Sequence, residues 1–256
     1  MNSIDLPIAV LDSGVGGISV LRELVRQMPN ENFLYFGDSK NAPYGEKSPE
    51  EVLRITRENL NSLLARGIKA LVLACNTATG AAARTLRAEY PDLILVGIEP
   101  AIKPASLLGD HPHVFVMATP LTLKQEKFCT LMARFSESSH ILPLPCAGLV
   151  ELIEDGKLEG EELDRYLKEL LSPHLSTKID AVVLGCTHYP HIKSEIAKHL
   201  PHETVILDGS EGTARETRRR LAEAALLRTE GTGHVEILNS SNDPSRIELS
   251  WKLFNR

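Results

Sequence analysis

Short apolar segments alternate with longer amphipathic ones along most of the chain. The first apolar run, 8–11, is followed by a turn of small residues at 12–17 and by a helix-like stretch at 18–28. Strands buried on both faces have continuous apolar sequences, and parallel strands need a long crossover, usually a helix, between them. The alternation therefore predicts an α/β fold with mostly parallel sheets that are covered by helices.

The same pattern locates the remaining elements. Ser48 followed by Pro49 is typical of a helix start, because the hydroxyl caps free N–H groups and proline suits the first helical position. Beyond residue 231 the chain is polar and irregular, and we expect one strand there, near 234–238, at a sheet edge. Further strands are predicted at 33–36, 70–74, 93–98, 114–117, 140–144, 181–184 and 205–207, and helices at 49–66, 77–89, 120–135, 161–172, 192–199 and 211–227.

The second half of the chain repeats the first. Residues 69–77 align with 180–188, and the strand at 8–11 aligns with the strand at 114–117. Each half has a hydroxyl side chain after one strand and a cysteine after another. These residues are Ser13 and Cys75 in the first half, and Thr119 and Cys186 in the second. Duplication explains this economically; chance similarity is the alternative, because buried strands draw on few residue types.

A chain of 256 residues is long enough for two domains. We predict two similar α/β domains, related by a pseudo-two-fold axis, with the active site in the cleft between them. The first is assigned to residues 1–97 plus 208–256, and the second to 98–207. Ligands of parallel sheets bind outside the carboxyl ends of the strands, which is where the two repeated cysteines are expected.

Composition and charge exclude several classes of protein. The chain has 28 basic and 34 acidic residues and a net charge of −6, which argues against a nucleic-acid binder. No apolar segment reaches the ~18 residues of a membrane span, so we expect a soluble, cytoplasmic protein with reduced thiols. The four cysteines are too few and too scattered for a disulfide scaffold.

The repeated cysteines are candidate catalytic groups. Both precede a predicted helix, and the free N–H groups and partial positive charge of a helix start stabilise a thiolate. The alternative is a small, buried apolar residue, and we retain it for Cys129 and Cys146, which have no counterpart in the repeat.

Two matched thiols allow three kinds of chemistry. A redox pair or a structural zinc site would show a C-x-x-C motif, which the chain lacks, and His188 adds only one ligand near Cys186. Acid/base groups on opposite faces of one substrate fit a two-fold arrangement better. A thiolate would remove a proton from one face and a thiol would return one to the other, so the product would be the mirror image.

Other polar residues have less specific signals. The glycine-rich turn 12–17 lacks both nucleotide-binding patterns, so it either brings backbone N–H groups to a carboxylate or is an ordinary β–α turn. Asp12 can act on a group near Cys75 or serve as a helix cap. The segment 43–45, Pro-Tyr-Gly, is a turn by composition.

A histidine and two carboxylates in the second half are further candidates. His188 can be an acid/base or orienting group beside Cys186, or a structural hydrogen-bonding residue. Glu151 lies in an apolar run that would bury it, and a buried carboxylate needs a partner. Glu154 has the same claim, and a solvated helix face is the alternative for both.

Four segments together resemble the signature segments of the glutamate racemases. The resemblance runs from residue 8 to the helix after Asp208. Either cysteine motif alone would indicate only the wider group of cofactor-independent amino-acid racemases, which includes aspartate racemase. The four segments are Asp-Ser-Gly-Val-Gly-Gly at 12–17, Pro-Tyr-Gly at 43–45, Ala-Cys-Asn-Thr-Ala-Thr at 74–79 and Leu-Gly-Cys-Thr-His-Tyr-Pro at 184–190.

The resemblance implies a reaction and its residues. L- and D-glutamate would be interconverted without a cofactor or metal, supplying D-glutamate for peptidoglycan, and a homodimer is the expected assembly. Cys75 would deprotonate the D-isomer and Cys186 the L-isomer. Asp12 and His188 would assist them, with Glu151 as a further catalytic carboxylate. The implied substrate contacts are Asp12, Ser13, Tyr44, Gly45, Asn76, Thr77, Thr119, Thr122, Thr187 and His188.

Alternative functions remain open on the sequence alone. A racemase for another amino acid, such as aspartate, is the nearest; a thiol redox or metal-binding protein and a non-catalytic binding protein are more distant. Ala101 and Ala147 depart from the commoner family pattern, and the end after residue 227 is the least family-like part.

Overall fold

The computed structural model describes residues 3–241 and 243–256. The chain forms two compact units: one contains the described residues up to Glu99 together with Ser210–Arg256, and the other contains Pro100–Gly209. Each unit has its own sheet with helices packed against it. Within the described ranges, no helix is both long and apolar enough to cross a membrane.

Strands and helices alternate along the chain, as predicted. The strands are β1 (Ile8–Asp12), β2 (Phe33–Gly37), β3 (Ala70–Leu73), β4 (Ile94–Gly97), β5 (His113–Ala118), β6 (His140–Pro145), β7 (Ala181–Leu184), β8 (Val205–Asp208) and β9 (Val235–Asn239). The α-helices are α1 (Ile18–Gln27), α2 (Pro49–Ala65), α3 (Asn76–Glu89), α4 (Ile102–Ala105), α5 (Pro120–Lys124), α6 (Glu126–Ala133), α7 (Leu149–Glu154), α8 (Glu161–Leu171), α9 (Lys193–Ala197), α10 (Ser210–Glu223) and α11 (Pro244–Phe254).

Four strands have the same order in both sheets, and the first sheet has β9 as an additional edge strand. The first is β4-β3-β1-β2-β9 and the second is β8-β7-β5-β6, and all the described strand pairs are parallel. The registers also correspond, since Ile8 lies opposite Ala70 in one sheet and Val114 opposite Ala181 in the other. The predicted fold class of two similar α/β units with parallel sheets is confirmed.

Each unit buries its own apolar core. In the first, side chains of β1 and β3 pack with α2 and α3; in the second, β5 and β7 pack with α4 and α6. Full burial of one large aliphatic side chain contributes roughly 1.5–3 kcal/mol, so these layers hold the strands firmly. The residues that follow β3 and β7 are therefore set in place by the cores beneath them.

Two predicted helices are interrupted or shortened. The expected helix 120–135 is α5 followed by α6, because Gln125 between them is extended, with ψ 136°. The expected helix 211–227 ends at Glu223. Ala225 has a φ of 55°, and the Leu226 N–H donates to the Leu221 carbonyl oxygen, which is a left-handed helix end. Apolar residues continue beyond Lys124 and beyond Glu223, so the spacing of apolar residues alone does not show where these two helices end.

The C-terminal tail is more regular than predicted. Strand β9 lies beside β2 at the sheet edge, as expected. The expectation of an otherwise irregular tail is wrong, because α11 packs against α1 and β9. Asp243 caps this helix by accepting from the Ser245 N–H at 2.9 Å, and Pro244 is its first residue. This Asp-Pro start is the same type of signal as Ser48-Pro49.

Candidate active site

Cys75 follows β3 and is the N-cap residue of α3. Its Sγ accepts a hydrogen bond from the Ala78 N–H at 3.5 Å, and the side chain is buried. The four residues of β3 are all buried apolar residues, so the strand end is well anchored. Free N–H groups and the positive end of the helix dipole stabilise negative charge on the sulfur. The position therefore suits a thiolate that accepts a proton.

Asp12 ends the neighbouring strand β1. Its Oδ1 accepts from the Gly14 N–H at 3.0 Å, so the carboxylate closes the turn after β1; the N-cap of α1 is Gly17. A Cβ at Gly17 would lie 2.6 Å from the Asp12 Cβ and 2.9 Å from the Ala74 Cβ. This crowding requires glycine, and it places Asp12 beside the residue that precedes Cys75.

Tyr44 belongs to the same group of residues. Its hydroxyl donates to Oδ2 of Asp38 at 2.6 Å. Burial raises the pKa of Tyr44 far above its ordinary value, and negative charge at Asp38, Cys75 and Asp12 raises it further. Such charge effects weaken with distance, so Tyr44, Cys75 and Asp12 share one environment at the carboxyl end of the first sheet.

Of the other predicted contacts in the first unit, Ser13 follows β1, Asn76 and Thr77 begin α3, and Gly45 lies in the 3-10 turn Tyr44–Glu46. Ser13, Asn76 and Thr77 are buried, and Gly45 is half-buried. Oδ1 of Asn76 is buried and accepts no hydrogen bond from the described residues. A buried oxygen without a donor is costly, so a ligand N–H group is favoured beside it.

In the second unit, Cys186, His188 and Glu154 form a chain of contacts. Sγ of Cys186 lies 3.6 Å from Nδ1 of His188, and Nε2 of His188 lies 2.7 Å from Oε1 of Glu154. All three side chains are buried. A carboxylate orients the imidazole and stabilises its protonated form, and an imidazolium beside a sulfur stabilises the thiolate.

The protonation of His188 depends on its two partners. Burial alone lowers the pKa of His188, but the hydrogen bonds and charges of Cys186 and Glu154 raise it by more, so it lies well above its ordinary value. The raised pKa favours the protonated form of His188. A group that favours a positive charge thus lies 3.6 Å from the Cys186 sulfur, within the same unit.

The helix predicted from residue 192 is present, but the expectation that Cys186, like Cys75, lies at the start of an α-helix is wrong. The chain first forms a tight turn and the 3-10 helix Tyr189–Ile192, and α9 begins only at Lys193. The Tyr189 N–H donates to the Cys186 carbonyl oxygen at 3.2 Å, which is the short hydrogen bond of such a turn. Charge stabilisation at Cys186 therefore comes from His188 rather than from the start of an α-helix.

The carboxylate that contacts His188 is Glu154. Both candidate glutamates lie on α7, but Glu154 is buried and Glu151 is half-buried, so the expected burial of Glu151 is wrong. The two residues are one helical turn apart in an apolar run. A six-residue helix is too short for the sequence to show which of them faces inward.

The three predicted threonines of the second unit are buried. Thr119 caps α5: its Oγ1 accepts from the Thr122 N–H at 3.3 Å and donates to the Thr122 hydroxyl at 2.9 Å. Thr187 lies between Cys186 and His188. Hydroxyl groups therefore lie at the strand ends of this unit, as Ser13 does in the first.

The cysteines are all free thiols in different surroundings. Burial raises the pKa of Cys146 to about 12, which agrees with an inert buried residue. Cys129 is exposed on α6, so the expectation of a buried apolar residue is wrong for it. Across residues 3–241 and 243–256, no group of three or more His, Cys, Asp or Glu is placed to hold a metal ion.

Comparison with known proteins finds similar proteins that carry the same name. A glutamate racemase of Clostridium kluyveri is 53% identical over 99% of this chain and 99% of its own length. A glutamate racemase of Clostridium botulinum is 50% identical over 99% of this chain and 98% of its own. These similarities extend through the segment after residue 227, which the sequence motifs do not cover.

Solved structures agree with these relatives. Glutamate racemase of Francisella tularensis in complex with D-glutamate superposes with a TM-score of 0.86 at 28% identity, covering 99% of this chain and 95% of that one. The Escherichia coli enzyme with L-glutamate and the activator UDP-MurNAc-ala gives 0.84 at 32%, covering 98% and 95%. The family model described as Asp/Glu/Hydantoin racemase matches residues 8–217. The resemblance of the four motifs is confirmed, and the chain belongs to the Asp/Glu/hydantoin racemase family.

Proposed function

We propose that this protein interconverts L-glutamate and D-glutamate by moving the Cα proton between Cys75 and Cys186. The most direct support is the matched position of the two cysteines. Cys75 follows β3 in the first unit, and Cys186 follows the corresponding strand, β7, in the second. The choice of glutamate rests on relatives about half identical over their full length, which are named glutamate racemases. Solved relatives hold D-glutamate or L-glutamate.

In each turnover one cysteine begins as a thiolate and the other as a thiol. The thiolate sulfur takes the Cα proton, and the electron pair of the broken C–H bond stays on the substrate as a carbanion. The opposite thiol then gives its proton to the other face of Cα and becomes a thiolate. The step balances without a cofactor. By analogy with the family, Cys75 acts on the D-isomer and Cys186 on the L-isomer.

Each thiol has its own support. The start of α3 stabilises the thiolate of Cys75, and Asp12 lies beside its strand end. The protonated His188 stabilises the thiolate of Cys186 and is itself oriented by Glu154. Glu154 therefore takes the role that the family resemblance gave to Glu151.

The remaining predicted residues bind the substrate. The α-ammonium group would supply the donor that Oδ1 of Asn76 needs. Hydroxyl and backbone N–H groups would hold the carboxylates and stabilise the charge that develops at Cα. The proposed hydroxyl and backbone contacts are those of Ser13, Tyr44, Gly45, Thr77, Thr119, Thr122, Thr187 and His188. We further propose that the enzyme is a cytoplasmic homodimer that supplies D-glutamate for peptidoglycan.

A racemisation assay on protein freed of metals and small cofactors tests the substrate. Loss of optical rotation should occur with either enantiomer of glutamate, and much more slowly with aspartate and other amino acids. Activity on aspartate without activity on glutamate would replace the proposed substrate. Stoichiometric zinc in the purified protein, measured before metals are removed, would favour a metal-binding function.

Substitution of the thiols tests the mechanism. Cys75→Ser and Cys186→Ser should each lower kcat/KM by about 10²–10⁴-fold, the usual contribution of one acid/base group. Cys146→Ser and Cys129→Ser are controls for thiol loss elsewhere. In deuterated water the product should acquire deuterium at Cα while the remaining substrate acquires little. Racemisation without deuterium in the product would contradict the two-thiol mechanism.

A further inference from the structure

Asp38, which follows β2, is a fully buried carboxyl group outside the predicted site. Its Oδ2 accepts from the Tyr44 hydroxyl at 2.6 Å, from Nδ2 of Asn59 at 2.9 Å and from Nδ2 of Asn41 at 3.0 Å. None of the ion pairs found among the described residues includes Asp38. Burying a carboxylate that contacts only neutral donors costs free energy. A residue retained at such a position is therefore expected to have a structural or functional role.

The donors come from separate parts of the first unit. Asn41 and Tyr44 lie in the loop between β2 and α2, and Asn59 lies on α2 itself. The Asp38 N–H donates to the Asp12 carbonyl oxygen at 2.9 Å, which ties the start of the loop to the end of β1. Asp38 thereby joins the loop, the helix and the strand end through one side chain and one backbone group.

The Tyr44 hydroxyl both donates and accepts within the cluster formed by Asp38, Asn41, Tyr44 and Asn59. It has a single proton, which it donates to Asp38, and it accepts from Nδ2 of Asn59 at 3.3 Å. Burial and the neighbouring negative charge of Asp38 raise the pKa of Tyr44, so the proton stays in place across the working pH range. Tyr44 therefore acts as a fixed part of the loop rather than as an acid or base.

We propose that Asp38 is a positioning residue that holds Tyr44, and with it the Tyr44-Gly45 backbone, where the substrate binds. The inference rests on the proposed function, because it takes Tyr44 and Gly45 as substrate contacts. A loop that grips the bound amino acid contacts the ground state and the transition state alike. Its displacement therefore raises KM and leaves kcat nearly unchanged.

Steady-state kinetics of Asp38→Asn test this role, with both enantiomers of glutamate as substrates. The amide has nearly the same shape but sets an N–H group against the donors of Asn59 and Asn41. KM should rise about tenfold, with kcat within about threefold of wild type, since one unsatisfied buried donor costs enough for such a change. Tyr44→Phe, which removes only the hydroxyl, should give the same pattern, and combining the two should add little.

A reciprocal exchange supplies a rescue. Asp38→Asn with Asn59→Asp keeps one carboxylate and one amide in the cluster with their places reversed, and should return KM to within about threefold of wild type, because the lost hydrogen bonds can form again. Tyr90→Phe is the matched control. The Tyr90 hydroxyl donates to Oδ1 of Asn61 at 2.6 Å, but at an exposed site of the same unit. It should leave both constants unchanged.

The outcomes separate this role from the proposed function. Wild-type protein that does not racemise glutamate would overturn both. An active wild type with unchanged kinetics in Asp38→Asn, or with a fall in kcat at constant KM, would overturn the positioning role alone. If Asp38→Asn does not fold by circular dichroism, Tyr44→Phe decides: unchanged KM there overturns the proposal.

Discussion

Replacement of Glu154 by glutamine measures how much the negative charge of Glu154, which contacts His188, contributes to activity. Glutamine keeps the size of the side chain and an oxygen acceptor, so packing is preserved and only the charge is lost. The Glu154–His188 contact is 2.7 Å long, and both groups are buried, so water does not screen it. A charged hydrogen bond exceeds a neutral one by about 1–2 kcal/mol, which predicts a loss of about 5- to 30-fold in kcat/KM.

The loss must be equal for both enantiomers. L- and D-glutamate have the same free energy, so the two values of kcat/KM are bound to a ratio of one for any variant. A polarimetric assay that starts from each enantiomer measures both. A larger loss in Glu151→Gln than in Glu154→Gln would contradict the role of Glu154 as the carboxylate that supports His188. Glu162→Gln, which alters an exposed ion pair with Lys157, is the control.

The pH profile of the same variant gives a second readout. Glu154 raises the pKa of His188, so its loss lowers that pKa, and the alkaline limb of the activity profile should move to lower pH. Stability follows the same sign. The contribution of the charged pair is fully present below the ordinary histidine pKa of about 6.5 and is lost as pH rises through the raised value. An alkaline limb that stays in place in Glu154→Gln would contradict this role of the carboxylate.

Two further predictions concern stability and thiol reactivity. Lys69→Met should lower the free energy of unfolding in urea by about 3–5 kcal/mol, because it leaves Glu31 buried without its cation. A loss no larger than that of Arg54→Met, at an exposed ion pair, would contradict this. In the native protein iodoacetamide should modify the exposed Cys129 and spare the buried Cys146, as mass spectrometry would show. Modification of Cys146 before unfolding would contradict it.

The sequence predicts the parts of the site that depend on strands. The four-residue apolar runs of β3 and β7 end sharply, so they place Cys75 and Cys186 at the carboxyl ends of their sheets. The internal repeat predicts that the two sheets are alike, and the matched registers agree. Strands in which every residue is buried leave few alternatives, because a shift along the chain would bring flanking polar residues into the core.

Short segments and loops are less predictable because their neighbours decide their orientation. The six-residue helix α7 offers two glutamates, and only tertiary packing turns Glu154 toward His188. The importance of Asp38 arises from donors on a loop and on α2, at separations that no sequence motif records. By contrast, the sequence does signal the start of α11, because Asp243 is a favourable N-cap residue and Pro244 suits the first helical position.

The two thiols follow corresponding strands, yet different chemical groups are placed to stabilise a negative charge on each sulfur. At Cys75 the start of α3 supplies backbone N–H groups, which do not titrate; at Cys186 the supporting group is the imidazolium of His188, which does. As pH rises through the pKa of His188, only the thiolate of Cys186 loses support. On the proposed mechanism, the enzyme form that acts on L-glutamate then becomes less populated. KM for L-glutamate should then rise relative to KM for D-glutamate. Because kcat/KM stays equal for the two, the ratio of kcat values must change by the same factor. Progress curves from each enantiomer across the alkaline range measure this ratio, and a constant value would show that the two thiols are supported alike.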